Sequence, residues 1–177
     1  FKTPIDAPVM AGTTGLDGDG QADLEHHGGV DKAVLAYSAD HYREWRRELG
    51  LSGIGFGAFG ENFTIAGLTE ELVNIGDIFA IGEARFEVSQ PRQPCWKLAR
   101  GWRMHELPGL VIRSGRSGWY LRVLEPGLIE KRMEVTLVER PNPEWSVARA
   151  SQILHHRTHD LALTLQLAGV PRLADSW

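Results

Sequence analysis

Cys95 is the only cysteine of the chain, and the residues around it favour a chemical role for its thiol. A single thiol has no partner for an internal disulfide, so either packing or reactivity explains its presence. Arg92 and Lys97 are close enough in sequence to favour the thiolate, which attacks electrophiles and binds metals. Pro91 and Pro94 restrict the backbone and predict an extended or turned segment. A buried cysteine that packs as a small hydrophobic side chain is the alternative interpretation.

Histidines form two further groups of candidate residues. In HHGG at 26–29, a histidine is suited to anchor or protonate a ligand while the glycines let the backbone approach it, and a solvated turn is the alternative. His155 and His159 are four residues apart, but they lack the glutamate and third ligand of a zinc-protease helix. We therefore interpret the second group as a solvated helix face and predict no zinc site.

Glycines cluster at 15–20 and at 53–60. Such clusters predict tight loops or places where the backbone passes close to another group. The second cluster does not match a dinucleotide-binding fingerprint, because no clear strand leads into it and no helix begins inside it. We therefore interpret it as a loop between strands.

The composition excludes several classes of protein. Hydrophobic residues make up 42% and charged residues 24% of the 177-residue chain, which is typical of a soluble globular protein. A net charge of −4 argues against general nucleic-acid binding, which needs a cationic surface. We expect no signal peptide and no membrane-spanning segment. A lone thiol without a disulfide framework favours the reducing cytoplasm.

The pattern of apolar residues predicts short strands with few helices. Strands are predicted at 31–37, 62–65, 78–82, 84–89 and 133–139, and the third and fourth form a hairpin that ends at the Cys95 loop. Helices are predicted at 39–49, between a Ser38 cap and Gly50, and at about 108–114. These elements predict a mainly β fold, a barrel or closed sheet with helices on its outside.

The chain changes character after Arg140. PNP at 141–143 should end the last strand, and Ser146 and Thr158 are predicted caps of two helices. The predicted apolar stripes of these helices consist of Val147, Ala150, Ile153 and Leu154, and of Leu161, Leu165 and Ala168. We therefore divide the chain into a β-barrel domain, 1–140, and a helical subdomain, 141–177. The subdomain is too small to bury its stripes alone, so it should pack on the barrel, on a partner chain in a homodimer, or on both.

Several motifs, in this order, resemble the MOSC domain, which is named after the C-terminal part of molybdenum cofactor sulfurases. Their order and spacing are most similar to the stand-alone bacterial YiiM-like branch, whose members carry a small C-terminal appendage of three helices. The resemblance spans nearly the whole chain, and several ordered motifs are far more specific than any one of them. The motifs are GDGQAD at 18–23, HHGGVDKAV at 26–34, FGEN at 59–62, NIGD at 74–77, QPRQPCWKL at 90–98 and GWYLRVL at 118–124.

This resemblance implies a β-barrel-like fold that binds a molybdenum cofactor, molybdopterin, with Cys95 as molybdenum ligand or sulfur carrier. It also implies reduction of N-hydroxylated bases or related compounds, with electrons from a separate reductase. A carrier module that uses a Cys95 persulfide is the alternative, and a hydrolase with Cys95 as nucleophile has less support. Thiolate is a soft ligand that suits a transition metal, and its cationic neighbours favour the required deprotonation.

The resemblance also implies roles for further residues. Cys95 is assigned as the catalytic residue and metal ligand. Arg92, Lys97 and Arg122 are assigned to the cofactor phosphate, and Arg92 is preferred because a guanidinium makes bidentate contacts. The pocket wall is assigned to His27, Gly28 and Gly29, and Lys32 is assigned as an added cation there. Hydrogen bonds to the pterin edge, or an orienting role in the loop, are assigned to Glu61 and Asn62. For these two residues, a turn that caps the next strand is the alternative.

Overall fold

The computed structural model describes residues 2–20, 28–50, 53–157 and 159–177. The strands within these residues are β1 (Val9–Gly12), β2 (Gly15–Leu16), β3 (Val34–Ser38), β4 (Phe63–Ile65), β5 (Ile78–Ile81), β6 (Ala84–Pro91), β7 (Trp119–Glu125), β8 (Gly127–Ile129) and β9 (Thr136–Glu139). They form a six-stranded sheet of order β4-β3-β7-β6-β5-β9 and a three-stranded sheet of order β2-β1-β8.

Five α-helices lie outside this curled sheet in the described part of the chain, and a 3-10 turn precedes β3. The predicted mainly β, barrel-like fold with outer and C-terminal helices is confirmed. The helices are α1 (Asp40–Leu49), α2 (Trp96–Trp102), α3 (Leu107–Ser114), α4 (Val147–His156) and α5 (Leu161–Ala168), and the 3-10 turn is Val30–Lys32.

The hairpin of β5 and β6 is confirmed, whereas two other strand predictions need correction. Ile81 pairs with Ala84 across a two-residue loop, as the alternating pattern indicated. The predicted strand at 31–37 begins only at Val34, because the preceding residues form the 3-10 turn. The predicted strand at 133–139 begins at Thr136, and all four residues of β9 are exposed because this strand lies at the sheet edge.

Two hydrophobic clusters hold the elements together. The larger one fills the inside of the sheet and extends under α4 and the end of α5. The second is rich in aromatic side chains and joins α1, the loop at 53–60, here called the glycine-rich loop, α2 and α3. Leu98 of α2 belongs to this second cluster, so the helix that follows Cys95 is anchored on aromatic side chains.

The helix predictions have mixed outcomes. Ser146 caps α4 by accepting a hydrogen bond from the backbone amide of Arg149. Thr158 lies outside the described residues, and the cap of α5 is Asp160, which accepts from the Leu163 amide at 3.1 Å. The predicted stripe of α5 is wrong: Leu161 and Leu165 are 68% and 64% exposed. The helix turns its opposite side, with Leu163 and Leu167, toward the core, as the cluster membership of these two residues shows.

Sequence patterns did not predict α2, which is short and follows Cys95 directly. None of the helices in the described ranges has the length and apolar composition to traverse a bilayer.

Candidate functional site

A cavity of about 280 Å³ lies where β6, β7, α2 and the glycine-rich loop meet. Polar and charged side chains contribute a large part of its wall. These are Lys2, Asp19, Lys32, Asn62, Arg92, Cys95, Lys97 and Tyr120. Apolar side chains and backbone form the rest, which includes Leu35, Phe59, Leu98 and Trp102.

Cys95 lines this cavity at the point where the chain passes from β6 into α2. Its backbone is extended, with φ −116° and ψ 169°, as the two prolines predicted. Its residue surface is partly exposed. The alternative of a cysteine sealed in the hydrophobic core therefore does not apply.

Arg92 lies in the same wall with only 7% of its surface exposed. Its backbone amide donates to the carbonyl oxygen of Gly118 at 3.0 Å. Gly118 has φ +79°, and a Cβ atom there would lie 2.5 Å from the Ala36 carbonyl oxygen, so a side chain would push β7 away from β3. Among the described residues, the Arg92 Nη1 atom has no hydrogen-bond partner although it is buried. A buried, unpartnered guanidinium nitrogen has the chemistry to bind an anionic ligand.

A lysine from the N-terminal segment reaches the cavity through a close backbone contact. The Lys2 amide donates to the Gly57 carbonyl oxygen at 3.3 Å. A Cβ atom on Gly57, whose φ is +89°, would lie 2.2 Å from the Lys2 carbonyl oxygen, so this approach requires glycine. The Lys2 Nζ atom then pairs with Asp19 at 2.7 Å. The sequence offered no local signal for Lys2.

Asp19 is the acidic group of the wall, and it is closely bound. The Asn62 side-chain amide donates to it at 2.6 Å, while the Asn62 Oδ1 atom accepts from the Leu35 amide at 3.0 Å. Burial raises the pKa of Asp19, but the hydrogen bonds from Lys2 and Asn62 together outweigh burial and leave the pKa lowered. Asp19 therefore stays ionised and forms an ion pair with Lys2. Three other cations, Lys32, Arg92 and Lys97, also line the cavity.

Glu61 is placed under the loop rather than in the cavity wall. Only 2% of its surface is exposed, and its carboxylate accepts from the amides of Gly57 and Phe59 at 2.8 and 3.1 Å. It also accepts from the hydroxyl groups of Tyr42 and Thr64. These four hydrogen bonds fix the carboxylate beneath the glycine-rich loop. Of the two roles predicted for Glu61, binding the pterin edge or orienting the loop, the geometry therefore favours orienting the loop.

Two aromatic side chains complete the wall. The Trp102 indole nitrogen donates to the Ala58 carbonyl oxygen at 2.9 Å and thus links α2 to the glycine-rich loop. Burial raises the pKa of the Tyr120 hydroxyl, and nearby Arg92 opposes this effect while Cys95 adds to it. Tyr120 therefore keeps its proton at neutral pH. Its neighbour Trp119 is fully buried in the core, so Trp119 is not available to stack on a ligand in the cavity.

Arg122, a predicted phosphate anchor, lies elsewhere. Its guanidinium group contacts Asp31 and donates to Glu87 at 2.5 Å and to the Arg172 carbonyl oxygen at 2.8 Å. Burial lowers the pKa of Arg122, but the hydrogen bonds to both carboxylates outweigh burial and raise it. This arginine is already neutralised within the fold, so its assignment to the cofactor is withdrawn.

The glycine motif before β3 has a partly described geometry. His26 and His27 lie outside the described residues. Gly29 has φ 95°, and its carbonyl oxygen accepts from the Lys32 amide at 3.1 Å, which starts the turn that carries Lys32 to the cavity. Gly28 and Gly29 are not among the described lining residues. No group of three or more His, Cys, Asp or Glu side chains with the geometry of a metal site occurs within the described ranges.

The structure thus brings together five of the predicted site residues around one cavity: Arg92, Cys95, Lys97, Lys32 and Asn62. Sequence reasoning missed Lys2, Trp102 and the structural role of Asp19. The position of Asp19 within the motif GDGQAD was the one available signal among these three.

Comparison with known proteins agrees with this architecture. Residues 23–136 match the MOSC domain, and residues 145–177 match the YiiM-like 3-alpha helix domain. The chain therefore belongs to the MOSC domain family, and the resemblance inferred from the motifs is confirmed.

Relatives of known name extend over nearly the whole chain. An uncharacterized protein YflK of Bacillus subtilis is 43% identical over 100% of this chain and 80% of its own length. Protein YiiM of Escherichia coli is 37% identical over 99% of this chain and 79% of its own length. A protein of Gibberella moniliformis named "Reductase" is 38% identical over 97% of this chain, which spans only 31% of that relative.

Solved structures show the same fold. YiiM from Geobacillus stearothermophilus matches with a TM-score of 0.88 and 40% identity, over 99% of this chain and 83% of that one. YiiM from Escherichia coli matches with a TM-score of 0.87 and 34% identity, over 98% of this chain and 82% of that one.

Proposed function

We propose that the cavity binds a molybdenum cofactor and that the loaded protein reduces N-hydroxylated compounds with electrons from a separate reductase. The observation that carries this proposal is the pairing, in one wall of a MOSC domain, of Cys95 with the buried and unpartnered Nη1 atom of Arg92. A thiolate suits a transition metal, and a guanidinium suits a phosphate.

The residues of the cavity fit an anionic cofactor. Molybdopterin carries a phosphate, and Arg92, Lys32 and Lys97 converge on the cavity in a chain whose net charge is −4. Arg92 would hold the phosphate, because a ligand oxygen would satisfy its buried Nη1 atom. Cys95 would hold the metal through its Sγ atom. The Trp102 indole donates a hydrogen bond to the loop backbone, which favours its position as a flat apolar part of the wall.

The reaction needs two electrons and two protons. The N–O bond of the hydroxylamine breaks, an N–H bond forms, and the oxygen leaves as water. When bound, the cofactor supplies the two-electron redox chemistry. Tyr120 holds a proton on its hydroxyl at neutral pH, since burial raises its pKa, and it can donate a hydrogen bond to the departing oxygen. Phe59 and Leu98 exclude water from the apolar side of the cavity.

One relative supports reduction. It matches 97% of this chain, which spans 31% of that relative, and it is named "Reductase"; we transfer this class of reaction to the present chain. A sulfur carrier is the second candidate function, and it would need a mobile thiol that leaves the cavity to meet an acceptor. Cys95 instead lies between the buried Arg92 and the anchored helix α2, which favours the enzyme.

Metal analysis and a reduction assay test the proposal. The protein is produced in a host that makes the cofactor, molybdenum per chain is measured, and an N-hydroxylated purine is offered with dithionite-reduced methyl viologen as electron donor. We expect bound molybdenum and turnover. Cys95→Ser should lower turnover by about 100-fold or more, and it should change the free energy of unfolding by less than about 1 kcal/mol because the residue is partly exposed.

Gln93→Ala serves as the matched control, because Gln93 is exposed on the same loop and does not line the cavity. This variant should retain full turnover. A Cys95 persulfide without molybdenum, detected by mass spectrometry, would instead establish the carrier. Full turnover of Cys95→Ser would contradict both.

A further inference from the structure

The segment around the cysteine has an unusual charge distribution. Residues 88–105 contain no Asp or Glu, although the net charge of the whole chain is −4. Four basic residues occur in this segment, and they divide by position. Arg92 and Lys97 line the cavity, whereas Arg100 and Arg103 are exposed and do not line it. The outward-facing pair is therefore unused by the proposed cofactor site.

A large aromatic side chain lies beside this pair. Trp96 is 62% exposed, and the Arg100 guanidinium carbon lies 5.9 Å from the centroid of one of its rings. Trp96 follows Cys95 directly in the chain. Exposure of tryptophan next to arginine is typical of protein interfaces, where these two residue types contribute most binding energy.

The backbone of Arg103 provides a second observation. It ends α2 in the left-handed conformation, with φ 51° and ψ 35°. Glycine is the favoured residue at such a helix end, and other side chains cost free energy there. The chain thus keeps a charged side chain at a position where local stability favours glycine. Strained positions of this kind often accompany function.

We propose that Trp96, Arg100 and Arg103, here called the α2 face, form the docking surface for an acidic one-electron carrier protein, such as a 2Fe–2S ferredoxin. The inference rests on the proposed function. Charge complementarity favours an acidic partner, because positive groups on this face steer negatively charged proteins toward it. The face begins at the residue after Cys95, so a partner bound there delivers electrons beside the cavity.

The electron count requires two encounters for each turnover. Each reduced ferredoxin gives up one electron and leaves oxidised. Two electrons and two protons from water convert the N-hydroxyl group into an N–H group and one water molecule. Salt dependence of the encounter follows from the charges, because raising the ionic strength from about 0.01 M to about 0.15 M shortens the Debye length from about 30 Å to about 8 Å.

Two electron donors separate docking from chemistry. Turnover of the molybdenum-loaded protein is measured with reduced methyl viologen, which needs no docking surface, and with an acidic 2Fe–2S ferredoxin kept reduced by its own reductase. For Arg100→Glu combined with Arg103→Glu, we expect KM for ferredoxin to rise about tenfold or more. The dependence of this KM on ionic strength should be weaker in the double variant than in wild type. The kcat with viologen should stay within about twofold of wild type, because neither side chain lines the cavity.

Arg103→Gly gives a second, sharper variant, with Arg132→Gly as its matched control. Arg132 is also an exposed arginine in the left-handed conformation, with φ 67°, but it lies between β8 and β9. Both variants should raise the melting temperature by about 2–4 °C, because glycine relieves the same backbone strain. Only Arg103→Gly should weaken ferredoxin binding, measured by calorimetry on the purified protein without regard to turnover.

Three results would overturn the docking proposal. These are an unchanged KM for ferredoxin in the double variant, equal weakening by Arg103→Gly and Arg132→Gly, and viologen-supported turnover in wild type without ferredoxin-supported turnover. Absence of viologen-supported turnover in a molybdenum-loaded protein would instead reject the proposed function, and the docking proposal with it.

Discussion

Two arginines, one in β7 and one directly after β6, differ in how completely the fold neutralises them. Arg122 lies in β7 opposite Glu87 of β6, and it binds two carboxylates and a carbonyl oxygen. Arg92 directly follows β6, where Pro91 pairs with Trp119, and its Nη1 atom is buried without a partner among the described residues. Both side chains are largely shielded from solvent.

This difference separates a cation that the fold has already paired from one that still has a donor available for a ligand. Residue type does not distinguish them, since both are arginines that the motifs assigned to a phosphate. Partners do distinguish them, because a guanidinium that already binds carboxylates has little to gain from a further anion. A buried guanidinium with an unused donor carries a desolvation cost that an anion would offset.

Loss of the neutralised arginine should have the largest effect on stability. Arg122→Met leaves the carboxylates of Asp31 and Glu87 without their shared partner, and we expect the free energy of unfolding to fall by about 2–3 kcal/mol. Urea unfolding at constant m value measures this change. Arg85→Met is the control, since Arg85 forms an exposed pair with Glu125 at 3.1 Å and should cost less than about 1 kcal/mol. Equal costs for the two variants would contradict the comparison.

The carboxylate beneath the loop is the next test. Glu61→Gln keeps the size of the side chain but replaces one acceptor oxygen with a donor that faces the Gly57 or Phe59 amide. We expect a loss of about 1–2 kcal/mol in the free energy of unfolding. Hydrogen exchange should show faster opening of the amides at 57–60 than at β6. A loop protected as in wild type would show that Glu61 is dispensable for its position.

Loss of Arg92 should lower cofactor binding and leave stability nearly unchanged, whereas loss of Arg122 should lower stability and leave cofactor binding unchanged. Arg92→Met removes a buried charge that lacks a full set of partners, so the free energy of unfolding should change by less than about 1 kcal/mol. Molybdenum per chain and affinity for the cofactor should fall by about tenfold, which corresponds to about 1.4 kcal/mol. Metal analysis of both variants measures this contrast. Retained molybdenum in Arg92→Met, or its loss in a folded Arg122→Met, would refute the assignment.

Removal of the Asp19 carboxylate should have the smallest effect on the free energy of unfolding. The folded-state pKa of Asp19 is lowered, so its contribution to stability is present above the unfolded pKa of about 3.8 and is lost as the pH falls further through the folded value. Asp19→Asn should therefore destabilise the protein by less than about 1 kcal/mol at neutral pH and flatten the stability curve below about pH 4.

Unfolding followed from pH 7 to about pH 3 checks this sign. Asp17→Asn is the matched control, because it removes an exposed carboxylate of the same turn. A steeper acid dependence in Asp19→Asn than in wild type would contradict the lowered pKa.

Local patterns predicted much of the fold. The β5–β6 hairpin, the helix that ends at Gly50 and the helix capped by Ser146 all have short-range signals, and all three occur. The patterns failed where long-range packing decides. Leu161 and Leu165 form an apolar stripe in the sequence, yet the core meets the opposite side of α5.

Motifs predicted the candidate site better than periodicity did. Cys95, Arg92 and Lys97 are close in sequence, so a short loop and one helical turn suffice to keep them together. The motifs could not show which arginine has carboxylate partners. Arg122 is 91 residues from Asp31, and only the pairing of distant strands brings them into contact.

By itself, the amino-acid sequence determined the family and the barrel-like class of fold. It also identified the segment around Cys95 as the candidate site. These conclusions depend on local residue types and their order. Only the tertiary structure decided that Lys2 and Asp19 meet at the cavity, that Glu61 supports a loop, and that Arg122 is neutralised. Such contacts join distant segments, and the burial of shared apolar surface selects which segments meet.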